Sequence, residues 1–299
     1  MKLKQKIGVV GNGFVGGAVR YGFSPNVGCD AEVRVYDINP NKSTHTLEET
    51  VNESDFIFLS VPTPANNDGS INIDILDSAL NDINEVHDGK ENAILIRSTV
   101  IPGTTWALQK KYQRLNLLFN PEFLTERSAN FDFINQSRFI IGHSGKSLNM
   151  LIAESFTDLI RDRFGECVAV LETSYETAEL IKYMNNCFFA TKISFMNEMY
   201  QIAEKIDANW EEVVSGFVSD GRIGHSHLNV PGHDGKYGFG GSCFPKDIQA
   251  MIEFAEMFGL NPTVLKGTWE KNLEVRPEQD WKELKGRAVV DENQLKLEL

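Results

Sequence analysis

The segment GFGGSCFPKD, residues 238–247, gathers the side chains best suited to chemistry. Cys243 sits in a glycine-rich loop with Lys246 and Asp247 close behind it. A thiol becomes a nucleophile where cations or amide donors stabilise its thiolate. Gly240 and Gly241 leave backbone N–H groups unshielded and let a bulky substrate approach the sulfur. The remaining cysteines, Cys29, Cys167 and Cys187, are scattered and form no CxxC pair. Neither a zinc site nor a disulfide framework is expected, and a reducing cytoplasm fits best. Buried, inert packing is the expectation for those three.

A second chemical segment is GNGFVG, Gly11–Asn12–Gly13–Phe14–Val15–Gly16, with GxGxxG spacing. The first glycine permits a tight turn, the second lets backbone approach a pyrophosphate, and the third allows close helix packing. The helix that follows supplies amide donors and a partial positive charge. Asp37 lies further on, at the end of a second strand-like run. A carboxylate there accepts the ribose 2′-OH and repels a 2′-phosphate, so NAD is expected rather than NADP. A dinucleotide loop together with a distant reactive cysteine suggests oxidation through a covalent adduct. A thiolate adds to an aldehyde, the thiohemiacetal loses hydride, and the resulting thioester is hydrolysed to an acid.

These residues need elements to hold them. KIGVV (6–10), AEVRVYD ending at Asp37, DFIFLSV (55–61), AILI (93–96), residues 116–119, 138–142 and 167–171 read as strands, and 73–86 and 104–112 as helices. The alternation predicts a doubly wound, Rossmann-like α/β sheet over residues 1–171. Residues 173–215 hold no Gly or Pro before Gly216, and Thr173 and Glu176 have capping-box spacing. Ile181, Met184, Phe188, Ile193, Met196, Met199, Ile202, Ala203 and Ile206 roughly follow a helical period. One long connecting helix is expected, with its Met- and Phe-rich face forming a homodimer. A small, mostly helical domain completes residues 172–275, a short C-terminal segment follows over 276–299, and its charged stretch 280–299 reads as surface.

Composition narrows the partners. The 299 residues suggest two domains, and a net charge of -13 argues against nucleic acid, which needs a basic face. No run approaches the about 20 apolar residues of a membrane span, and the N-terminal apolar run is too short and glycine-broken for a signal peptide. His225, His227 and His233 lie in one loop without a carboxylate cluster, so they are expected to be solvated and no metal is expected.

The ordered set GNGFVG, YDINPNK, SVPTP (60–64), IRSTVIPGTT (96–105), FNPEFLTER (119–127), SRFIIG (137–142), Lys182 with Asn186, DGRIG (220–224) and GFGGSCFPKD resembles the UDP-glucose/GDP-mannose dehydrogenases. The resemblance spans residues 5–275. It implies oxidation of a nucleotide-sugar's C6 alcohol to the carboxylate with two NAD. It implies Cys243 as catalytic thiolate, and Lys182 and Asn186 pointing at the reacting C6, the lysine on the oxyanion. Asp247 is implied to order a water for proton abstraction, Glu122 to activate water for thioester hydrolysis, and Thr99 to lie near both nicotinamide and water. Thr63, Glu126 and Lys246 are implied cofactor contacts, and Lys42 a contact of the adenosine ribose. Phe123, Leu124, Gly240 and Arg222 are implied on the substrate side, Arg222 reaching the sugar, in some members from the partner subunit. Arg127 departs from the family's usual glycine. The family also carries a further α/β domain that grips the nucleotide, and no counterpart is recognised here. Two other readings stay open: a two-electron dehydrogenase of the β-hydroxyacid type, and a non-catalytic NAD-binding remnant.

Overall fold

Strands buried on both faces need near-continuous apolar runs, and three central segments supply them: FIFL, AILI and NLLF. A computed structural model describes residues 4–291. In chain order its first unit runs β1 (Lys6–Val10), α1 (Phe14–Gly22), β2 (Glu32–Tyr36), α2 (Leu47–Asn52), β3 (Phe56–Leu59), α3 (Asp74–Val86), β4 (Ala93–Ile96), α4 (Thr104–Lys111), β5 (Asn116–Phe119), α5 (Ala129–Ile134), β6 (Arg138–His143), α6 (Ser147–Phe164) and β7 (Ala169–Ser174). The seven strands lie in the order β2-β1-β3-β4-β5-β6-β7. All neighbours are parallel except β5 and β6, which meet antiparallel at Phe119 and Gly142. The strand order reverses between β1 and β3, the switch point where open α/β sheets bind ligands beyond their strand ends. The doubly wound sheet is therefore as expected.

The strand period of two divides the core into two layers. Phe58, Leu95 and Leu118 pack with α1, α5 and α6 residues such as Val19, Phe133 and Phe156. Ile57, Leu59, Ile94 and Ile96 face the other way, against Leu76, Leu80 and Leu108 of α3 and α4. β7 begins at Ala169 and runs to Ser174, later than its expected span, and Asp37 stands just beyond β2.

Contacts divide the chain at 182/183 rather than at 171/172. Residues 4–63 and 73–182 form the sheet-bearing unit, and 64–72 group with the residues from 183 onward. The helix α7 (Tyr175–Lys205) begins in the first unit and ends in the second, followed by α8 (Trp210–Val218), α9 (Phe244–Met257) and α10 (Thr263–Val275). The long helix is present but stops at Lys205. Asp207 takes a left-handed φ of 55°, the role glycine usually fills at a helix end. Asn209 then caps α8 by accepting from the Glu211 and Glu212 amides. Neither residue is Gly or Pro, which is why the break is invisible to a search for breakers. Of the apolar positions on α7, Met196 and Ala203 are buried, whereas Met184, Phe188, Phe195 and Ile202 are exposed.

The expectation that residues 280–299 form a surface segment is corrected for the part the structure describes. Trp281 is 2 % exposed and packs on Trp269 with centroids 5.3 Å apart. The Val290 amide donates to the Ala65 carbonyl at 2.9 Å, tying this segment to the 64–72 loop. Residues 292–299 of that segment lie outside the described residues. Among the described residues no helix is long and apolar enough to cross a membrane.

Candidate functional site

The dinucleotide loop is built by close approach of backbone. Gly11 has φ 87°, and a Cβ there would overlap the Ser60 carbonyl; a Cβ on Gly16 would overlap the Gly11 carbonyl oxygen. Gly13 differs, since its Cβ would meet nothing within 4 Å. Gly13 caps α1 without a side-chain acceptor, and the first turn, with Phe14 and Val15, carries no acidic residue. Amides and helix dipole are thus left for an external anion. Asp37 stands beside the loop: its Oδ2 accepts from the Asn12 amide at 2.7 Å and its Oδ1 from the Asn39 amide at 2.9 Å. Asn12 Nδ2 donates to the Lys42 carbonyl at 2.8 Å, which docks the exposed Lys42 turn on the same loop. The fit to NAD rests on the space above Gly13, the uncapped α1 terminus and the carboxylate beyond β2. Beyond β3 and β4, buried Thr63 donates to the Thr99 carbonyl at 2.8 Å, joining two expected residues near the switch point.

The turn after β5 holds the first pair of expected site residues. Lys182 of α7 donates to the Glu122 carbonyl at 2.6 Å and to its carboxylate Oε1 at 2.9 Å. Oε2 accepts from the Leu124 amide at 2.7 Å. The side chains are 4 % and 7 % exposed. Burial pushes the Glu122 carboxyl up, but the Lys182 ammonium, the Leu124 amide and the Arg97 guanidinium together hold it below its ordinary value. The Phe123 ring carries two cations, Arg138 at 4.4 Å and Lys182 at 5.4 Å from its centroid. Glu126 lies on the exposed turn that follows.

The cysteine end belongs to the second unit. Cys243 is the N-cap of α9, with Pro245 in the first turn, where the fixed proline φ suits helix initiation. A sulfur at a helix N-terminus faces the positive end of the dipole, which favours a thiolate. Ser242 Oγ lies 3.8 Å from Sγ. In the first turn, Asp247 is 1 % exposed and takes two partners, Lys246 at 2.5 Å and Asn186 of α7 at 2.6 Å. Lys182 and Asn186 stand one turn apart on α7, as their spacing requires. The glycine loop before Cys243 is fixed from α10. Asn272 accepts from the Phe239 amide at 2.7 Å and donates to its carbonyl at 3.0 Å. A Cβ on Gly240 would overlap the guanidinium of Arg276, which is itself held by Asp234 and Asp280.

Other expected residues fall elsewhere. Arg222 is 88 % exposed, its guanidinium on Asp220. His225, His227 and His233 are exposed, as expected, and His227 also stacks on Phe189 with ring centroids 4.2 Å apart. Cys187 is buried packing, its thiol pushed up by burial, but Cys167 is exposed and Cys29 half-buried. Residues that motif reading passed over are Arg97 and Asn120, inside quoted motifs, and Glu179, Asn272 and Arg276. Glu179 accepts from the Gly103 and Thr105 amides at 2.6 and 2.8 Å, capping α4, and burial pushes its carboxyl up to about 7. Only its position, on the same α7 stretch as Lys182, could have drawn attention to it.

Residues 41–160 match the NAD-binding domain of the UDP-glucose/GDP-mannose dehydrogenase family, and 176–274 match its central domain. The chain is 36 % identical over 240 residues to a UDP-glucose 6-dehydrogenase of Rickettsia prowazekii, covering 79 % of this chain and 53 % of that protein. It spans about half the length of the curated relatives it matches. A UDP-glucose dehydrogenase structure from Pyrobaculum islandicum superposes with a TM-score of 0.77 at 28 % identity, over 91 % of this chain and 68 % of that one. A 3-hydroxyisobutyrate dehydrogenase from Mycobacterium tuberculosis shares the fold at 15 % identity, TM-score 0.70, over 93 % and 95 % of the two chains.

Proposed function

We propose, from the premise that this chain belongs to the UDP-glucose/GDP-mannose dehydrogenase family, that it oxidises the C6 alcohol of a nucleotide-sugar to the carboxylate through an adduct on Cys243. UDP-glucose, giving UDP-glucuronate, is the favoured substrate, with GDP-mannose the next. The observation that carries this reading is Cys243 at the N-terminus of α9, with the buried Lys246–Asp247–Asn186 network in the turn behind it. NAD is the cofactor, and when bound it supplies the hydride acceptor for both oxidations.

The chain's own residues divide the remaining work. The Asp247 carboxylate takes the proton of the C6 hydroxyl through a water that it orders, and the Lys182 ammonium steadies the alkoxide as the alcohol becomes an aldehyde. The Cys243 thiolate adds to the aldehyde carbon, and Lys182 and Asn186 steady the oxyanion of the thiohemiacetal. Hydride loss from that carbon leaves a thioester. Glu122 takes a proton from water, which adds to the thioester; the C–S bond breaks, the thiolate departs and the carboxylate forms. Lys182 links the steps. While it sits on Glu122 that carboxylate is a weak base, and when the ammonium turns to the oxyanion Glu122 becomes a stronger one. Thr63 and Thr99 order the end of the cofactor site, with Gly11, Gly16, Asp37, Lys42, Glu126 and Lys246 as cofactor contacts; Phe123, Leu124, Gly240 and Arg222 serve the substrate. The exposed stripe on α7 supports a homodimer, which sedimentation tests by returning twice the monomer mass.

The deciding assay is NADH formed per nucleotide-sugar consumed, across UDP-glucose, GDP-mannose and UDP-N-acetylhexosamines. Two equivalents are expected with one of them, and Cys243→Ser is expected to stop in the second oxidation. Full four-electron turnover by Cys243→Ser would falsify the covalent route. A single equivalent, indifferent to thiol alkylation, would instead support the two-electron reading.

A further inference from the structure

Arg97 directly follows β4 and is 2 % exposed. Its Nη1 donates to Asn120 Oδ1, while Nε and Nη2 have no hydrogen-bond partner among the described residues. The guanidinium carbon lies 5.8 Å from the ring centroids of both Phe58 and Phe133, so the group is wedged between two aromatic side chains. Burial brings its pKa down to about 10, which still leaves it charged at neutral pH. A charge this deep needs an anion; the Glu122 carboxylate, on the turn that Asn120 opens, opposes the effect of burial on the Arg97 pKa. The attraction is mutual, because Arg97 is among the groups that keep the Glu122 carboxyl low.

The connection between them is short. Asn120, which Arg97 grips, opens the turn that contains Glu122. Its amide donates to the Ile96 carbonyl at 2.9 Å and its Nδ2 to the Ile140 carbonyl at 2.8 Å, so it pins the turn to both flanking strands. The turn closes where Glu122 Oε2 accepts from Leu124. The charged groups around this carboxylate are Lys182 from α7, Arg97 beyond β4, and Arg138 of β6 across the Phe123 ring. Lys182 is on a flexible four-carbon stem and is needed at the oxyanion. Arg97, held by Asn120 and the two rings, is not placed to leave.

We propose that Arg97 is a positioning residue for Glu122: it fixes the Asn120–Leu124 turn through Asn120 and keeps Glu122 ionised while Lys182 serves the reaction. The proposal rests on the reading of Glu122 as the base for thioester hydrolysis. Without Arg97, a carboxylate this buried takes up a proton once Lys182 turns away, and a protonated Glu122 cannot accept one from water.

The test begins without substrate. The Glu122 carboxyl is titrated by carbon-13 NMR in the full chain, its signal assigned by its loss in Glu122→Gln. In Arg97→Met the midpoint is expected to rise by about one pH unit, and in Arg97→Lys to return toward the wild-type value. Methionine matches the aliphatic stem and packs between Phe58 and Phe133, a replacement that buried charges often tolerate. Arg97→Gln is the second neutral variant should Arg97→Met not fold. A midpoint in the neutral variants equal to that of wild type overturns the proposal. In the activity arm, decay of the Cys243 thioester should lose rate on the acid side in step with the NMR midpoint, and Arg97→Lys should rescue it. A shifted midpoint in a chain that forms no thioester would uphold the Arg97–Glu122 coupling and sink the proposed function, so the two failures are separable.

Discussion

Replacing Lys182 by Met should unbalance the sheet-bearing unit in a way that pH reveals. The substitution strips Glu122 of its direct cation and leaves a carboxylate that is 7 % exposed without its nearest partner. Breaking a buried pair from one side costs about 3–5 kcal/mol. The Glu122 carbonyl loses its Nζ donor as well. At about 2–4 °C per kcal/mol, the melting transition of that unit should fall by roughly 6–20 °C at pH 7. In wild type the folded pKa of Glu122 is lowered, so its contribution to stability is present above the unfolded pKa and is lost as pH falls through the folded value. In Lys182→Met the largest remaining influence is burial, which raises the folded pKa; that variant therefore gains stability as the carboxyl takes up a proton. The gap between the two proteins should be widest near neutrality and narrow toward pH 4. Lys182→Met with Glu122→Leu removes both charges and should recover most of the loss. Circular-dichroism melts from pH 4 to 8 measure all three. A gap that does not change with pH, or a double variant no better than the single one, would refute the reasoning.

The second and third glycines of the dinucleotide loop should separate binding from stability. Gly13→Ala adds a methyl into open space, so melting should hardly change while NAD affinity falls at least tenfold by calorimetry. Gly16→Ala drives the same methyl into the Gly11 carbonyl and should lower both. Glu179 should give a pH signature opposite in sign to that of Glu122. Its folded pKa, about 7, lies above its ordinary 4.5, so its contribution is full below about 4.5 and declines as pH rises to about 7. The stability difference between wild type and Glu179→Gln should fall by roughly 3 kcal/mol across that window in pH-dependent denaturant melts, and a flat difference would contradict it.

The sheet, the glycine loop with its distant aspartate, and the ordered family motifs were all legible in the residues, because each depends on local spacing. A parallel strand buried on both faces must be apolar throughout, as at AILI, and a phosphate-binding turn must place glycines where Gly11 and Gly16 stand. The helix pair Lys182 and Asn186 follows from 3.6 residues per turn. Long-range pairing left no such trace. That Lys182 holds Glu122, that Asn186 reaches Asp247, and that Asn272 and Arg276 brace the cysteine loop are facts about residues far apart in sequence. The break after Lys205 was hidden because Asp207 adopts a conformation glycine normally marks, and Trp281 read as surface because its neighbours in sequence are charged. Only the tertiary structure supplied the partner across space, and with it the burial that decides whether Arg97 is one arginine among many or a buried cation gripping Asn120 of the Glu122 turn.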